Sequence, residues 1–365
     1  MGMLFGFGSH VGQVRDLNED SYLAMAAPAI TPEVDALLVV ADGVGGHQAG
    51  EVASGYVVDT FGQLFTSRAY QKRVDYNPQR EDYYAAALKE ILEGINTGLQ
   101  DMAVGQRGLS GMGTTATVAL VTGRRLFIGH VGDTRAYLLR QRELHLLTTD
   151  HSWVEEQVHA GALTPQQAAT HPRRSVLTRS LGNRPVVRID RSIHTLEAQD
   201  VLLLCSDGLT NKVSDAEIGR AVQANDDPQK VCDFLVDLAN QRGGEDNVTI
   251  LMVRLSDQVQ GNNLPGGLAA GPRAVETAEE AAITQKIRRP EASGRSRRAI
   301  IRRIAAMFLF AVVVLISSLF SGLAIYLLVE PAGAGWIQGA AICPALSTVV
   351  GVFLGIVGAR WIRRN

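Results

Sequence analysis

Three aspartates of this chain occupy the same kind of place. Asp42, Asp207 and Asp246 each stand where an apolar run meets a Gly-containing turn. The run Ala36 to Ala41 leads into Asp42-Gly43, and Val201 to Cys205 leads into Ser206-Asp207-Gly208. Gly243-Gly244-Glu245-Asp246 leads into Val248 to Leu255. A fourth carboxylate, Asp133, follows Gly132 between two alternating segments. Strand ends at one edge of a sheet converge, and carboxylates gathered there cannot all stay ionised without cations between them. An all-oxygen set suits Mg²⁺ or Mn²⁺ rather than zinc or copper, and no histidine pair sits at metal-ligand spacing. Two such ions about 3.5–4 Å apart can lower the pKa of a shared water and stabilise an in-line displacement. That chemistry suits hydrolysis of a phosphate ester, and Arg15 offers a planar fork for its oxygens. A single aspartate at a turn is ordinarily an Asx-turn or a cap. Four in this pattern favour the metal.

The elements that must position them are legible from period. Helical spacing runs from about Gly50 to Phe65, with Ala53, Val57, Phe61 and Leu64 on one face. It returns from about Asp82 to Val104, with Tyr84, Leu88, Ile91, Ile95 and Leu99 as a stripe. From Gly111 the period becomes two, and Thr115–Thr122, Leu126–Val131, Ala136–Arg140 and Leu144–Thr148 are predicted as successive antiparallel strands. Residues 151–184 break this pattern with two capping boxes, Ser152 to Glu155 and Thr164 to Gln167, and are expected to form a flap of two short helices. Helices are expected again from Asp215 and from Pro228 to Gln241.

Charge divides the chain. Residues 1–258 carry 23 Lys/Arg against 32 Asp/Glu, a net −9, while the remainder carries 12 against 5, a net +7. An acidic body argues against nucleic acid as a partner, since phosphate backbones need clustered cations. Cys205, Cys232 and Cys343 are too widely and irregularly spaced for a disulfide framework or a zinc site, and read as buried small residues in a reducing compartment.

Seven motifs, in order along residues 4–256, resemble the metal-dependent protein phosphatases of type 2C, in particular their bacterial serine/threonine branch. They are Val14 to Asp20 (VRDLNED), Val40 to His47 (VADGVGGH), Met112 to Thr115 (MGTT), Val131 to Arg135 (VGDTR), Leu177 to Gly182 (LTRSLG), Ser206 to Leu209 (SDGL) and Gly244 to Thr249 (GEDNVT). The resemblance implies an α+β fold, a four-layer α-β-β-α sandwich of two antiparallel sheets flanked by helices. By the same likeness Asp42 would bridge two Mn²⁺ or Mg²⁺ ions, with the Gly43 carbonyl on one and Asp207 and Asp246 on the other. Glu19 and Asp20 would hold metal-bound waters, Asp133 would serve a third, weaker ion, and Arg15 would take the substrate phosphate. Hydrolysis would be direct, without a phosphoenzyme. In eukaryotic members the proposed general-acid histidine directly follows the Asp-Gly pair. Here Val44-Gly45-Gly46 intervene before His47, the residue carried over as proton donor to the leaving alkoxide.

Residues 258–303 are rich in Gly, Pro, Ala and charge, and read as a disordered linker that turns basic at Arg295, Arg297, Arg298, Arg302 and Arg303. Two uncharged stretches follow, 304–329 and 336–359, each long enough to span a bilayer. Basic residues flank the outer ends of this pair and are absent from the loop between them, so both ends are expected on the cytoplasmic side. The expectation is therefore a two-helix transmembrane hairpin in the inner membrane with a cytoplasmic catalytic domain, residues 1–257. Gly335/Gly339 and Gly351/Gly355 have a spacing that lets helices pack in lipid, so dimerisation is allowed. The expected partners are phosphorylated proteins, substrates of a serine/threonine kinase, and membrane lipid. The alternative class is a catalytically weak or inactive phosphoprotein-binding module, for which loss of ligands would be the mark. None of Arg15, Asp42, Asp207 and Asp246 is lost. A transporter built on the two spans is disfavoured because they carry no ionisable residue.

Overall fold

In the computed structural model, the structure describes residues 2–45, 48–72, 82–104, 107–257 and 261–271. All belong to one compact unit, Met1–Val275. His47, Cys343 and the two predicted spans, 304–329 and 336–359, lie outside the described residues. Among the described residues no helix is long and apolar enough to cross a membrane.

One antiparallel sheet has five strands in the order β1 (Gly2–His10), β11 (Val248–Ser256), β10 (Val201–Cys205), β7 (Arg135–Arg140) and β8 (Glu143–Leu146). The second runs β12 (Leu268–Gly271), β2 (Asp20–Ala26), β3 (Ala36–Val44), β5 (Ala116–Thr122), β6 (Arg125–Val131) and β9 (Asp190–Thr195), with the two-residue β4 (Gly113–Thr114) on the end of β3. The helices are α1 (Gln48–Thr66), α2 (Tyr83–Ala103), α3 (Trp153–His159), α4 (Pro165–Ala169), α5 (Asp207–Thr210), α6 (Asp215–Ala224) and α7 (Pro228–Gln241).

Three apolar layers explain why the central strands are continuous apolar runs rather than alternating ones. Successive side chains of a strand point to opposite faces, so a strand covered on both sides is apolar throughout. In β3, Leu38 and Val40 join the core between the sheets, while Leu37, Val39 and Ala41 pack under α1 and α2. In β10, Leu202 and Leu204 face the other sheet, and Val201, Leu203 and Cys205 face α6 and α7. The four-layer α-β-β-α order expected from the sequence is thus the observed one. Truncating a side chain such as Leu204, which is fully buried, costs about 2–5 kcal/mol.

One boundary needs correction. Within the stretch expected to be disordered linker, residues 261–271 fold onto the sandwich. Asn263 donates Nδ2 to the Phe5 carbonyl (2.9 Å) and accepts from the Phe5 N–H at Oδ1 (2.6 Å), and Asn262 Nδ2 donates to the Ala27 carbonyl (2.8 Å). Leu264 is buried between the sheets, and Leu268 to Gly271 pair with Met25 to Tyr22. Gly, Pro and Asn gave the stretch a linker composition. Its order comes from side-chain amides meeting the two sheet edges, which no periodicity records.

Candidate active site

The carboxylates converge as the spacing predicts, although β3 runs on past Asp42 to Val44, where Gly43 and Val44 pair with β4. Asp20 and Asp42 are cross-strand neighbours on β2 and β3. Asp207 begins α5, separated from β10 by Ser206 alone, and Asp246 lies two residues before β11. Hydrogen bonds to the Asp42 backbone and two close-packed glycines hold these ends. The Asp42 N–H donates to Thr115 Oγ1 (3.0 Å), and the Asp42 carbonyl accepts from Thr114 Oγ1 and the Thr115 N–H, both at 2.8 Å. Gly43 lies so close to the backbone of Glu19 and of Gly50, in the first turn of α1, that a Cβ would collide with both. Gly208 is pressed in the same way against the Asn247 carbonyl. At these two glycines the absence of a side chain is what lets the strand ends approach.

Electrostatics reveal how tightly the carboxylates are grouped. Burial, followed by the charges of Asp20, Asp207, Asp133 and Asp246, pushes the Asp42 carboxyl well above the usual carboxylate range. Burial raises Asp20 to about 7, against the lowering hydrogen bond from Ser206 Oγ (2.7 Å), with Asp207 and Asp246 adding to the rise. Asp207 is pushed up to about 6 by burial and by Asp246. It accepts from Asn211 Nδ2 (3.0 Å), which offsets part of that rise. Asp133 is raised well above the usual range by burial, then by Asp207 and Asp150.

The Arg15 guanidinium lies in the field of Asp246, Glu19 and Asp42, and donates to Asp246 Oδ2 at 2.9 Å. Glu19 lies against the first turn of α1 beside Gly50. Asp20 starts β2 and is buried. The structure therefore gathers Asp20, Asp42, Asp133, Asp207 and Asp246 at one end of the sandwich, with Arg15 and Glu19 beside them. His47 lies outside the described residues.

These residues fit a hard divalent cation. The donors are oxygens, the carboxyls raise one another's pKa, and Asp20 Oδ1 is buried with no hydrogen-bond partner. As the side chains lie, no three acidic, histidine or cysteine groups among the described residues close on one point at ligand distance.

Sequence reasoning missed two organising residues. The Asn247 side chain accepts from the Glu19 N–H (2.8 Å) and donates to the Val11 and Leu17 carbonyls (2.9 Å each). It thereby shapes the loop that carries Arg15 and Glu19. Ser206, fully buried, donates to Asp20 and accepts from the Thr249 N–H (2.9 Å). Each directly neighbours a site aspartate inside one of the seven motifs, and neither position by itself tells which distant groups the side chain would bond.

Comparison with known proteins agrees with this geometry. The family model described as Protein phosphatase 2C matches residues 8–258. The serine/threonine phosphatase stp of Listeria monocytogenes is 34% identical over 247 residues, covering 68% of this chain and 94% of the relative. The crystal structure of the Mycobacterium tuberculosis serine/threonine phosphatase PstP/Ppp superposes with a TM-score of 0.60 at 36% identity, covering 70% of this chain and 100% of that one. A structure of the catalytic domain of the serine threonine protein phosphatase PstP in complex with two manganese ions gives 0.58 at 34%, covering 70% and 99%. A strand-end carboxylate cluster beside an arginine, on this sandwich and at this level of likeness, has one reading: the chain belongs to the protein phosphatase 2C family, as a serine/threonine protein phosphatase of the bacterial type.

Proposed function

We propose that the chain is a membrane-tethered, Mn²⁺- or Mg²⁺-dependent phosphatase that removes phosphate from serine and threonine of proteins and so reverses a serine/threonine kinase. The observation that carries the metal dependence is the set of raised carboxyls, Asp20, Asp42, Asp133 and Asp207, gathered at one place with Arg15 beside them. Asp42 would contact both ions, with the Gly43 carbonyl, Asp207 and Asp246 completing their protein ligands. Glu19 and Asp20 would hold ion-bound waters, and Asp133 would serve a third ion. When bound, the ions supply Lewis-acid activation of a water and neutralise phosphate charge.

The rest falls to the protein. Arg15, half-exposed at the mouth of the cluster, can exchange Asp246 for two phosphate oxygens and so orient the ester. His47 is assigned the proton for the leaving alkoxide. The uncharged stretches 304–329 and 336–359, flanked by arginines, support the tether and a cytoplasmic catalytic domain.

The test uses the full chain. Phosphate release from an aryl phosphate and a phosphothreonine peptide should require Mn²⁺ and vanish with EDTA, and well-folded protein with no metal-dependent release would overturn the reading. In carbonate-washed membranes the full chain should stay in the pellet, and a chain ended after Gly271 should leave it. Equal extraction of both would remove the tether.

A further inference from the structure

His151 stands outside every motif used above, yet its imidazole is buried and fully engaged. Nδ1 accepts from the Gly132 N–H at 3.0 Å, which fixes the neutral ring with its proton on Nε2. Nε2 donates to Asp190 Oδ2 at 3.1 Å, and Asp190 Oδ1 accepts from Arg179 at 2.9 Å. The backbone of His151 repeats the pairing. Its N–H donates to the Gly132 carbonyl (2.7 Å), and its carbonyl accepts from the Thr178 N–H (2.8 Å). Burial holds the ring's pKa below its ordinary value, in keeping with the neutral form. A second buried imidazole, His130, packs on it with centroids 4.7 Å apart, tied to Thr117 and to the Thr149 carbonyl.

One residue thus joins two regions distant in sequence. On one side is the Gly132-Asp133 turn. On the other are both ends of the flap: Ser152 and Trp153 at its start, and Leu177 to Arg179 at its finish, where Ser152 pairs with Leu177 and the Trp153 N–H meets the Val176 carbonyl. The flap's far end has a separate tie, through Leu181 to Thr114 and from there to the Asp42 carbonyl.

We propose that His151 is a positioning residue that locks the flap and the Asp133 turn into one unit, so that a phosphoprotein engaging the flap also sets the position of Asp133. The functional half of this statement rests on the metal-phosphatase reading; the mechanical half does not. Three substitutions separate the two bonds. Asn places an acceptor at the Nδ1 position and can keep Gly132 while losing Asp190. Gln places a donor at the Nε2 position and can keep Asp190 while losing Gly132. Ala loses both.

Amide hydrogen exchange on the full chain reads them directly. H151A should speed exchange about tenfold at both 131–134 and 176–180. H151N should restore protection only at 131–134, and H151Q only at 176–180. Exchange unchanged in H151A, or the same pattern in all three variants, would overturn the proposal. If H151A does not fold, the Asn and Gln variants alone decide it. In kinetics, H151N and H151Q should each raise KM for a phosphothreonine peptide at least threefold while kcat for an aryl phosphate stays within about twofold; equal loss on both substrates would overturn the functional half. A wild-type chain with no Mn²⁺-dependent activity would defeat the phosphatase reading and the functional half with it, while exchange still decides the lock.

Discussion

The two ends of strand β10 treat buried aspartates in opposite ways. At the start, Asp200 is 2% exposed and chelated by Arg140 at 3.0 and 2.6 Å, with a further bond from the Glu197 N–H (2.7 Å). At the finish, Asp207 meets Asp42, Asp133 and Asp246 and has no arginine of its own. The first is a compensated charge and stabilises the fold. The second is an incompletely compensated cluster, which costs stability unless something else supplies more positive charge. Composition does not distinguish them, since both are aspartates flanking one apolar run; the partners do.

Asp207→Asn should break the active end most completely. We expect kcat/KM to fall at least about 10³-fold, roughly 4 kcal/mol, while the metal-free protein keeps or gains thermal stability because one repelling charge is gone. A matching loss of Tm would instead make Asp207 structural. Asp200→Ala should do the reverse. It leaves Arg140 without its buried carboxylate, and denaturant unfolding should register a loss of about 3–5 kcal/mol, with kcat of the remaining folded enzyme nearly unchanged.

Titration sharpens the same contrast. Asp20 and Asp207 sit at about 7 and about 6 in the fold against about 3.9 in an unfolded chain. Between about pH 4 and 7 the metal-free fold therefore holds more protons than the unfolded chain, and the contribution of these groups to stability falls as pH rises through that window. Cations compete with those protons. The rise in Tm on adding Mn²⁺ should accordingly be larger near pH 7.5 than near pH 5.5, and a pH-independent rise would count against ligation by this cluster. The smallest effect belongs to Arg15→Lys. Its ion pair is half-exposed, so stability should move by no more than about 0.5 kcal/mol. KM for a phosphothreonine peptide should still rise about threefold to tenfold through loss of the planar fork.

Much of this was legible in the sequence because covered strands are apolar throughout and the site residues follow them directly. Val201 to Cys205 and Pro228 to Gln241 lie where they were expected. Strand β9 was invisible for the opposite reason: it is an edge strand of polar residues, with Ile193 as its one large apolar side chain, placed by pairing with β6. Short β12 was hidden by its linker-like composition. Asn247 and Ser206 were illegible as organisers because their bonds reach residues 230 and 186 positions away. The aspartates could be listed from the sequence, whereas the side chains that aim them become apparent only in three dimensions.

Residues 261–271 bind β1 at the border of one sheet and then extend β2 at the border of the other. Without them both borders would present bare N–H and C=O groups, the usual template for intermolecular strand addition. A chain cut at residue 257 should therefore self-associate in solution, where one cut at 271 stays dispersed. Any pull arriving from beyond Gly271 also reaches the sandwich first through the pairing of Leu268 to Gly271 with β2. The strand that bears that load is the one that begins at Asp20.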